Sequence, residues 1–327
     1  MIAVYLVTYR RPHLLERALE SVRQQTYEDW TARVVNDDPD DGRVEAMVSA
    51  LRDPRIRILE PVRRRGGAGN FNLAFQETQC AFASILEDDN WWEPGFLKTM
   101  FEALAVDPHI EVACGNERIY KENEDATWTR GATIWPDCLD GLYSTDVETA
   151  CGSAKLCNSS LLFRTRRSAE WQTPDDIPVD VTEHFRERVI PQPIRLVGEP
   201  LVNYADTIAT SRASGTLWAE YQCLLIGSCF RSTPPHLRES LARKIWRSVG
   251  TGGSPRATAL LVASLVMPEA FKLWTTSSLY QKTRLAGTVA KRLPDLLALR
   301  SVRQRLDSHF QFLCDSPFNR RLEGLLE

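Results

Sequence analysis

The first 115 residues alternate short apolar runs with segments of helical period, an order that few folds accommodate. Ile2–Val7 is a continuous apolar run of strand length. Pro12 then opens a segment with Leu14, Leu15, Ala18, Leu19 and Val22 at helical spacing. Thr31–Val35, Ile56–Leu59, Phe82–Leu86 and Ile110–Cys114 read as further strands. Between them lie helical segments carrying Val44, Met47, Val48 and Leu51, then the stretch after Gly66–Asn70. Another helix opens at Pro94 and carries Phe96, Leu97, Met100, Phe101 and Leu104. Strands separated by helices predict an α/β fold with a mainly parallel, doubly wound sheet and helices on both faces. Ligands bind such sheets beyond the carboxyl ends of the strands. Thr8, Asp37-Asp38 and Asp88-Asp89 all fall there, so three polar strand ends at one edge predict a site.

From 116 to 215 the pattern is irregular and rich in Trp, Asp, Pro and Gly, as expected of the specificity half of a site. From 217 onward it turns helical, with candidate helices Tyr221–Phe230, Leu237–Val249, Ala257–Trp274 and Leu296–Leu313, broken at Gly250–Pro255 and Pro294. The expected organisation is a catalytic domain over 1–215, with a nucleotide half 1–115 and an acceptor half 116–215. A helical extension covers 216–327.

Composition narrows the function classes. A pI near 6.0 gives nucleic-acid binding no support. The net charge of −3 conceals two unlike parts. Residues 217–327 hold 16 Lys and Arg against 8 Asp and Glu, or +8; residues 1–216 hold 24 against 35, or −11. The eight cysteines form no CxxC pair and the five histidines are scattered, so a zinc site of the usual spacing is not expected. The start of the chain lacks the pattern of a secretory signal, which predicts reduced thiols in a cytoplasmic protein. The longest apolar run, Ala257–Met267, is too short to span a bilayer.

The sharpest chemical feature is Glu87-Asp88-Asp89-Asn90 at the end of the fourth strand. Side-chain alternation along a strand predicts Asp88 and Asp89 to point in different directions, one at a ligand hydroxyl and one at a cation. Two carboxylates about 4 Å apart repel by roughly 4 kcal/mol at an effective dielectric of 20, and a divalent cation compensates that. The glycine-rich Arg63-Arg64-Arg65-Gly66-Gly67-Ala68-Gly69-Asn70 fails as a dinucleotide fingerprint. It lacks the third glycine and follows the third strand instead of the first. Trp91, Trp92, Trp128, Trp135 and Trp171 suit either sugar faces or a core.

Val7-Thr8-Tyr9-Arg10-Arg11-Pro12, then Ser21–Trp30, then Val34-Val35-Asn36-Asp37-Asp38, and finally Leu86–Leu97 occur in an order that resembles inverting family 2 glycosyltransferases of the GT-A fold. The resemblance covers about residues 2 to 205 and does not reach the C-terminal helices. It implies transfer of a sugar from a UDP- or dTDP-sugar donor to a hydroxyl acceptor, whether a glycan, a lipid-linked saccharide or a small molecule. By the same resemblance Thr8 and Tyr9 line the base and ribose pocket, and Asp38, with Asp37 as the alternative, holds the nucleobase or ribose. Asp88 contacts the ribose side, Asp89 binds Mn²⁺ or Mg²⁺ at the diphosphate, and Arg65 pairs with base or phosphate. Within Val179–Arg188, Asp180 matches the general base that takes the acceptor proton, and Glu183 is the runner-up. The family's frequent histidine after the catalytic region is absent, with Asp206 nearest its place. Two competing classes remain: a sugar nucleotidyltransferase, and a non-catalytic relative that binds nucleotide as a scaffold. For the basic C-terminal helices the reading is either a solvated face or a surface for an anionic acceptor, an acidic protein or the inner face of a membrane.

Overall fold

In the computed structural model, described over residues 1–59, 64–76, 78–208, 215–251, 255–283, 299 and 301–326, the chain divides into two compact units. The first comprises Met1–Ser144, Leu156–Val179 and Ile190–Ser211. The second comprises Thr145–Lys155, Asp180–Val189 and Arg212–Glu327, so two short segments upstream of residue 215 group with the C-terminal helices. Arg63, Arg300, Pro294, residues 252–254 of the expected break and the start of the expected 296–313 helix lie outside the described residues.

The first unit is built on β1 (Ile2–Thr8), α1 (Pro12–Arg23), β2 (Trp30–Asn36), α2 (Gly42–Leu51), β3 (Ile56–Ile58), α3 (Gly66–Asn72) and β4 (Phe82–Glu87). It continues through β5 (Trp91–Trp92), α4 (Phe96–Ala105), β6 (Val112–Glu122), β7 (Trp128–Thr133), β8 (Gly141–Tyr143), β9 (Leu161–Arg164) and β10 (Ile194–Asp206). The sheet runs β3-β2-β1-β4-β9-β6-β10-β5, with β7 on β6 and β8 on β10. β3, β2, β1 and β4 are mutually parallel, as the alternation predicts. β9 then inserts antiparallel between β4 and β6, and β6 pairs in parallel with β10. The sheet is therefore mixed, with its parallel block at the amino-terminal side. Ile2, Val4 and Leu6 of β1 and Ala32 and Val34 of β2 pack with Leu15, Ala18, Leu19 and Val22 of α1. Phe96, Leu97, Met100 and Leu104 of α4 complete that core with Trp92 and Val202.

β6 runs well beyond the expected stop at Cys114, because the polar residues there are satisfied inside the fold. Asn116 donates to the carbonyls of Trp135 (3.0 Å) and Gly198 (2.9 Å) and accepts from the Trp135 N–H. Gly198 itself sits at a bulge in β10 where the chain at 138–139 crosses closely. A Cβ there would lie 2.2 Å from the Leu139 nitrogen, an obstacle that is backbone and cannot rotate away. Gly198→Ala is expected to cost about 1–3 kcal/mol, toward the upper end, by overpacking. A urea unfolding midpoint matching wild type would refute that account.

The second unit is helical: α5 (Val147–Cys151), α6 (Thr182–Val189), α7 (Gly215–Ser232), α8 (Arg238–Ser248), α9 (Ala257–Val266) and α10 (Lys272–Thr276) precede four short helices between Val302 and Leu326. The expected 257–274 helix breaks because Pro268 holds Met267 extended (φ −114°, ψ 103°). Phe185 of α6 stacks on Phe312 (5.8 Å) and meets Tyr221 (6.0 Å) edge-on, which centres this unit's packing on α6. The eight cysteines are free thiols, six of them buried. Among the described residues no helix is long and apolar enough to cross a membrane.

Candidate functional site

Parallel pairing brings three strand ends to one level. Thr8 is in register with Asn36, and Val7 with both Val35 and Glu87. Backbone bonds extend the ladder past the strands, from the Asp37 N–H to the Thr8 carbonyl (3.0 Å) and from the Asp88 N–H to the Val7 carbonyl (3.1 Å). Asp37 and Asp88 thus flank Thr8 on its two sides.

Asp88 is completely buried, and Asp89 is 8% exposed. β4 ends at Glu87, and Asp88 and Asp89 lie in the turn closed by the Asn90 N–H on the Glu87 carbonyl (3.1 Å). Strand alternation therefore does not govern them, and the expectation that they point apart is corrected. Both carboxylates converge on one guanidinium. Arg11 donates from Nη2 to Asp88 Oδ1 (2.5 Å) and from Nη1 to Asp89 Oδ2 (2.6 Å). The other oxygen of Asp88 accepts from Thr8 Oγ1 (2.7 Å) and from the Tyr9 N–H (3.4 Å). Burial pushes the Asp88 carboxyl up to about 6, against the opposing pull of Arg11. Arg11 reaches back because Arg10 adopts a left-handed conformation (φ 58°) between β1 and α1.

Asp37 and Asp38 divide their tasks. Buried Asp37 accepts at Oδ1 from the N–H groups of Arg65 (2.9 Å) and Gly66 (3.1 Å), and so anchors the loop that starts α3. Gly66 takes φ +75° there, a conformation that favours glycine. Asp38 instead faces Arg10 Nε at 2.5 Å. The Tyr9 ring carries two guanidinium groups, Arg64 at 4.6 Å and Arg10 at 5.0 Å, and Arg64 also donates to the Tyr9 hydroxyl. Arg65, the arginine preferred from sequence, contributes its backbone N–H, whereas Arg64 reaches Tyr9 and lies 3.6 Å from Asp37.

The turn is held from behind. Asn90 donates to Ser159 Oγ (3.0 Å) and accepts the Ala205 N–H (2.9 Å), and Trp92 Nε1 donates to the Ser159 carbonyl (2.8 Å). Arg17 donates to the Asp89 carbonyl (2.7 Å) while its guanidinium lies 3.7 Å over Trp91 and 4.4 Å over Trp128. Trp92, Trp135 and Trp171 are buried, as core tryptophans are. A cleft of about 470 Å³ opens among Glu93, Arg118, Tyr120, Arg130, Glu199 and Asn203, away from the residues that hold the acidic turn.

Sequence reasoning missed Arg11, Arg17, Arg64 and Glu117. The available signal for Arg11 was that a buried carboxylate pair needs a cation, and that the start of α1 follows the strand next to β4. Glu117, buried in β6, accepts the Cys157 N–H (3.3 Å) and a bond from Ser160, and burial pushes it up to about 8. Its folded value lies above its unfolded value, so the stability it contributes is present at low pH and is lost as pH rises through about 8. Glu117→Gln should therefore gain stability relative to wild type steadily from pH 5 to pH 9. Parallel melting-temperature profiles over that range would sink this assignment.

Asp180 and Glu183 belong to the second unit, Asp180 in the turn Val179–Val181 and Glu183 in the first turn of α6, both half-buried. In the same α6, His184 Nε2 accepts the Ala154 N–H (3.1 Å), and burial lowers its imidazole to about 4, so it is neutral at pH 7.

A family model described as "Glycosyl transferase family 2" matches residues 3–171. Among curated relatives, the UDP-Glc:alpha-D-GlcNAc-diphosphoundecaprenol beta-1,3-glucosyltransferase WfgD of Escherichia coli is 26% identical over 123 residues, 38% of this chain and 48% of that protein. The putative colanic acid biosynthesis glycosyl transferase WcaA of Escherichia coli K12 is 31% identical over 98 residues, 30% of this chain and 35% of its own. The chain thus spans about half or less of the curated relatives it matches. The fold resembles the crystal structure of S. aureus TarS, with TM-score 0.56 and 11% identity over 96% of this chain and 55% of that one. The 1–349 portion of TarS in complex with UDP gives TM-score 0.51 and 12% identity, covering 99% of this chain and 90% of that one. These likenesses bear out the mixed α/β, GT-A-like fold with additional C-terminal helices.

Proposed function

The chain belongs to glycosyl transferase family 2, and from that premise we propose that it transfers a sugar, with inversion, from a UDP- or dTDP-sugar to a hydroxyl acceptor. The observation that carries this reading is the acidic turn Asp88-Asp89 beside Thr8, Tyr9 and Asp38 at the carboxyl ends of three parallel strands. Tyr9, Arg64, Arg65, Asp37 and Asp38 would frame the nucleoside. Asp38 accepts from Arg10 and has the freer carboxylate of the pair, which suits it to the N3–H of uracil or thymine.

Asp88 and Asp89 offer hard oxygen donors that already converge on one cationic group, and that donor set fits Mn²⁺ or Mg²⁺. Asp89 would hold the ion, with Asp88 behind it. A bound ion supplies Lewis-acid neutralisation for the departing nucleoside diphosphate. Asp180 is assigned the base by its place in the sequence motif, with Glu183 as runner-up. It takes the acceptor hydroxyl's proton as that oxygen attacks the anomeric carbon in line with the leaving group.

A lipid-linked saccharide is the favoured acceptor class, supported by the diphosphoundecaprenol in the description of WfgD. The +8 carried by residues 217–327 and the exposure of Leu265, Phe271, Leu279 and Tyr280 support contact with an anionic membrane, on its cytoplasmic face. The deciding assay mixes the full chain with UDP- and dTDP-sugars, Mn²⁺ and a diphospholipid-linked saccharide. Expected results are release of nucleoside diphosphate and a product of inverted anomeric configuration by NMR coupling. Absence of nucleotide binding overturns the reading, and pyrophosphate release from a nucleoside triphosphate plus sugar phosphate would make the chain a nucleotidyltransferase. Sedimentation with anionic vesicles, weakened by salt, is expected; equal sedimentation with neutral vesicles would remove the charge argument.

A further inference from the structure

The acidic turn already contains its own cation. Asp88 and Asp89 each present an oxygen to Arg11, at 2.5 and 2.6 Å, and Asp88's remaining oxygen is taken by Thr8 and Tyr9. An incoming divalent ion would need the two oxygens that Arg11 holds. Arg17 is not an alternative partner, because it bonds the Asp89 carbonyl and lies over Trp91 and Trp128. Arg11, in contrast, can leave. Its side chain is 28% exposed, it stands at the start of α1 without a side-chain cap, and it follows the left-handed joint at Arg10.

We propose that Arg11 is a resident counter-cation that must give up Asp88 and Asp89 before a divalent ion can bind, and that a nucleoside diphosphate draws it off. The chemistry favours the exchange. A guanidinium fork matches two phosphate oxygens as well as it matches two carboxylates, so the diphosphate offers Arg11 an equivalent partner. Metal and nucleotide then bind cooperatively, and by linkage each tightens the other by the same factor. Arg11 is thus a positioning residue that keeps the acidic turn neutralised until donor arrives. The proposal rests on the reading of Asp89 as the metal ligand.

The test is Mn²⁺ binding to the full chain, followed by electron paramagnetic resonance and calorimetry, with and without UDP. Wild type should bind Mn²⁺ weakly alone and at least fivefold more tightly with UDP. Arg11→Gln should bind Mn²⁺ alone at least tenfold more tightly than wild type, with the UDP effect largely lost; a structural defect would weaken binding instead. Asp89→Asn should abolish binding. If Arg11→Gln leaves Mn²⁺ affinity unchanged or weaker while Asp89→Asn abolishes it, the Arg11 proposal is overturned and the metal assignment stands. If Asp89→Asn binds as wild type does, the metal assignment itself fails. Should Arg11→Gln not fold, Arg11→Lys decides, because a compact ammonium cannot span both carboxylates. It should bind Mn²⁺ at least twofold more tightly, and unchanged affinity overturns the proposal.

Discussion

Asp89→Asn is expected to lower the turnover of sugar transfer by about 10²–10³-fold, the scale of losing one preorganised electrostatic stabiliser. The substitution keeps the shape of the side chain, and the amide oxygen can still accept from Arg11, so the turn should remain folded. What disappears is the negative charge. The buried neighbour Asp88 is held up partly by the like charge of Asp89, so its carboxyl should ionise more readily in the variant. Loss of turnover should therefore accompany an unchanged melting temperature in the absence of metal. Full turnover in Asp89→Asn would remove the residue from the chemistry, and a collapsed melting temperature would make its role structural.

The second large effect concerns stability. Arg188 is 1% exposed, yet its guanidinium is fully engaged inside the helical unit. It donates to Asn319 Oδ1 (2.5 Å), to the Ala150 carbonyl (2.7 Å) and to the Leu225 carbonyl (3.2 Å), and lies over the Phe318 ring at 4.8 Å. One side chain thereby satisfies a carbonyl in α5, a carbonyl in α7 and an amide in the short helix Pro317–Arg320. Arg188→Ala would orphan those three acceptors and open a cavity. Each orphaned acceptor costs about 1–3 kcal/mol before any collapse of the cavity, and a total of roughly 3–5 kcal/mol is expected. Arg188→Met fills the space without the hydrogen bonds and should cost less. Hydrogen exchange by mass spectrometry should show faster exchange over α5 to α7 in the alanine variant. A loss below 1 kcal/mol would mean that water replaces the guanidinium at little cost.

Much of the first unit was legible in local pattern. Ile2–Val7 and Phe82–Leu86 are apolar throughout because a parallel strand is covered on both faces, and Pro12 marks a helix start because its missing N–H is not needed there. The strand ends were legible for the same reason, since polar residues interrupt those runs where burial stops. β9 was not. Leu161–Arg164 is four residues long, without a period, and its place between β4 and β6 depends on pairings about 80 and 50 residues away. The length of β6 was hidden too, because Asn116 and Glu117 resemble a strand end until Trp135, Gly198 and Cys157 supply their partners.

The candidate site divides along the same line. By itself the sequence determined which residue types stand at the carboxyl ends of β1, β2 and β4, because strand order and burial period are local properties of the chain. Only the tertiary structure decided how their charges are arranged. The turn after Glu87 sets both aspartates toward one guanidinium, Asp37 is committed to a loop, and Arg64 reaches Tyr9 where Arg65 was expected to serve. Arg11 meets Asp88 and Asp89 across separations of 77 and 78 residues. No local pattern encodes such a pairing, because a guanidinium accepts whichever carboxylates the packed strands bring within reach.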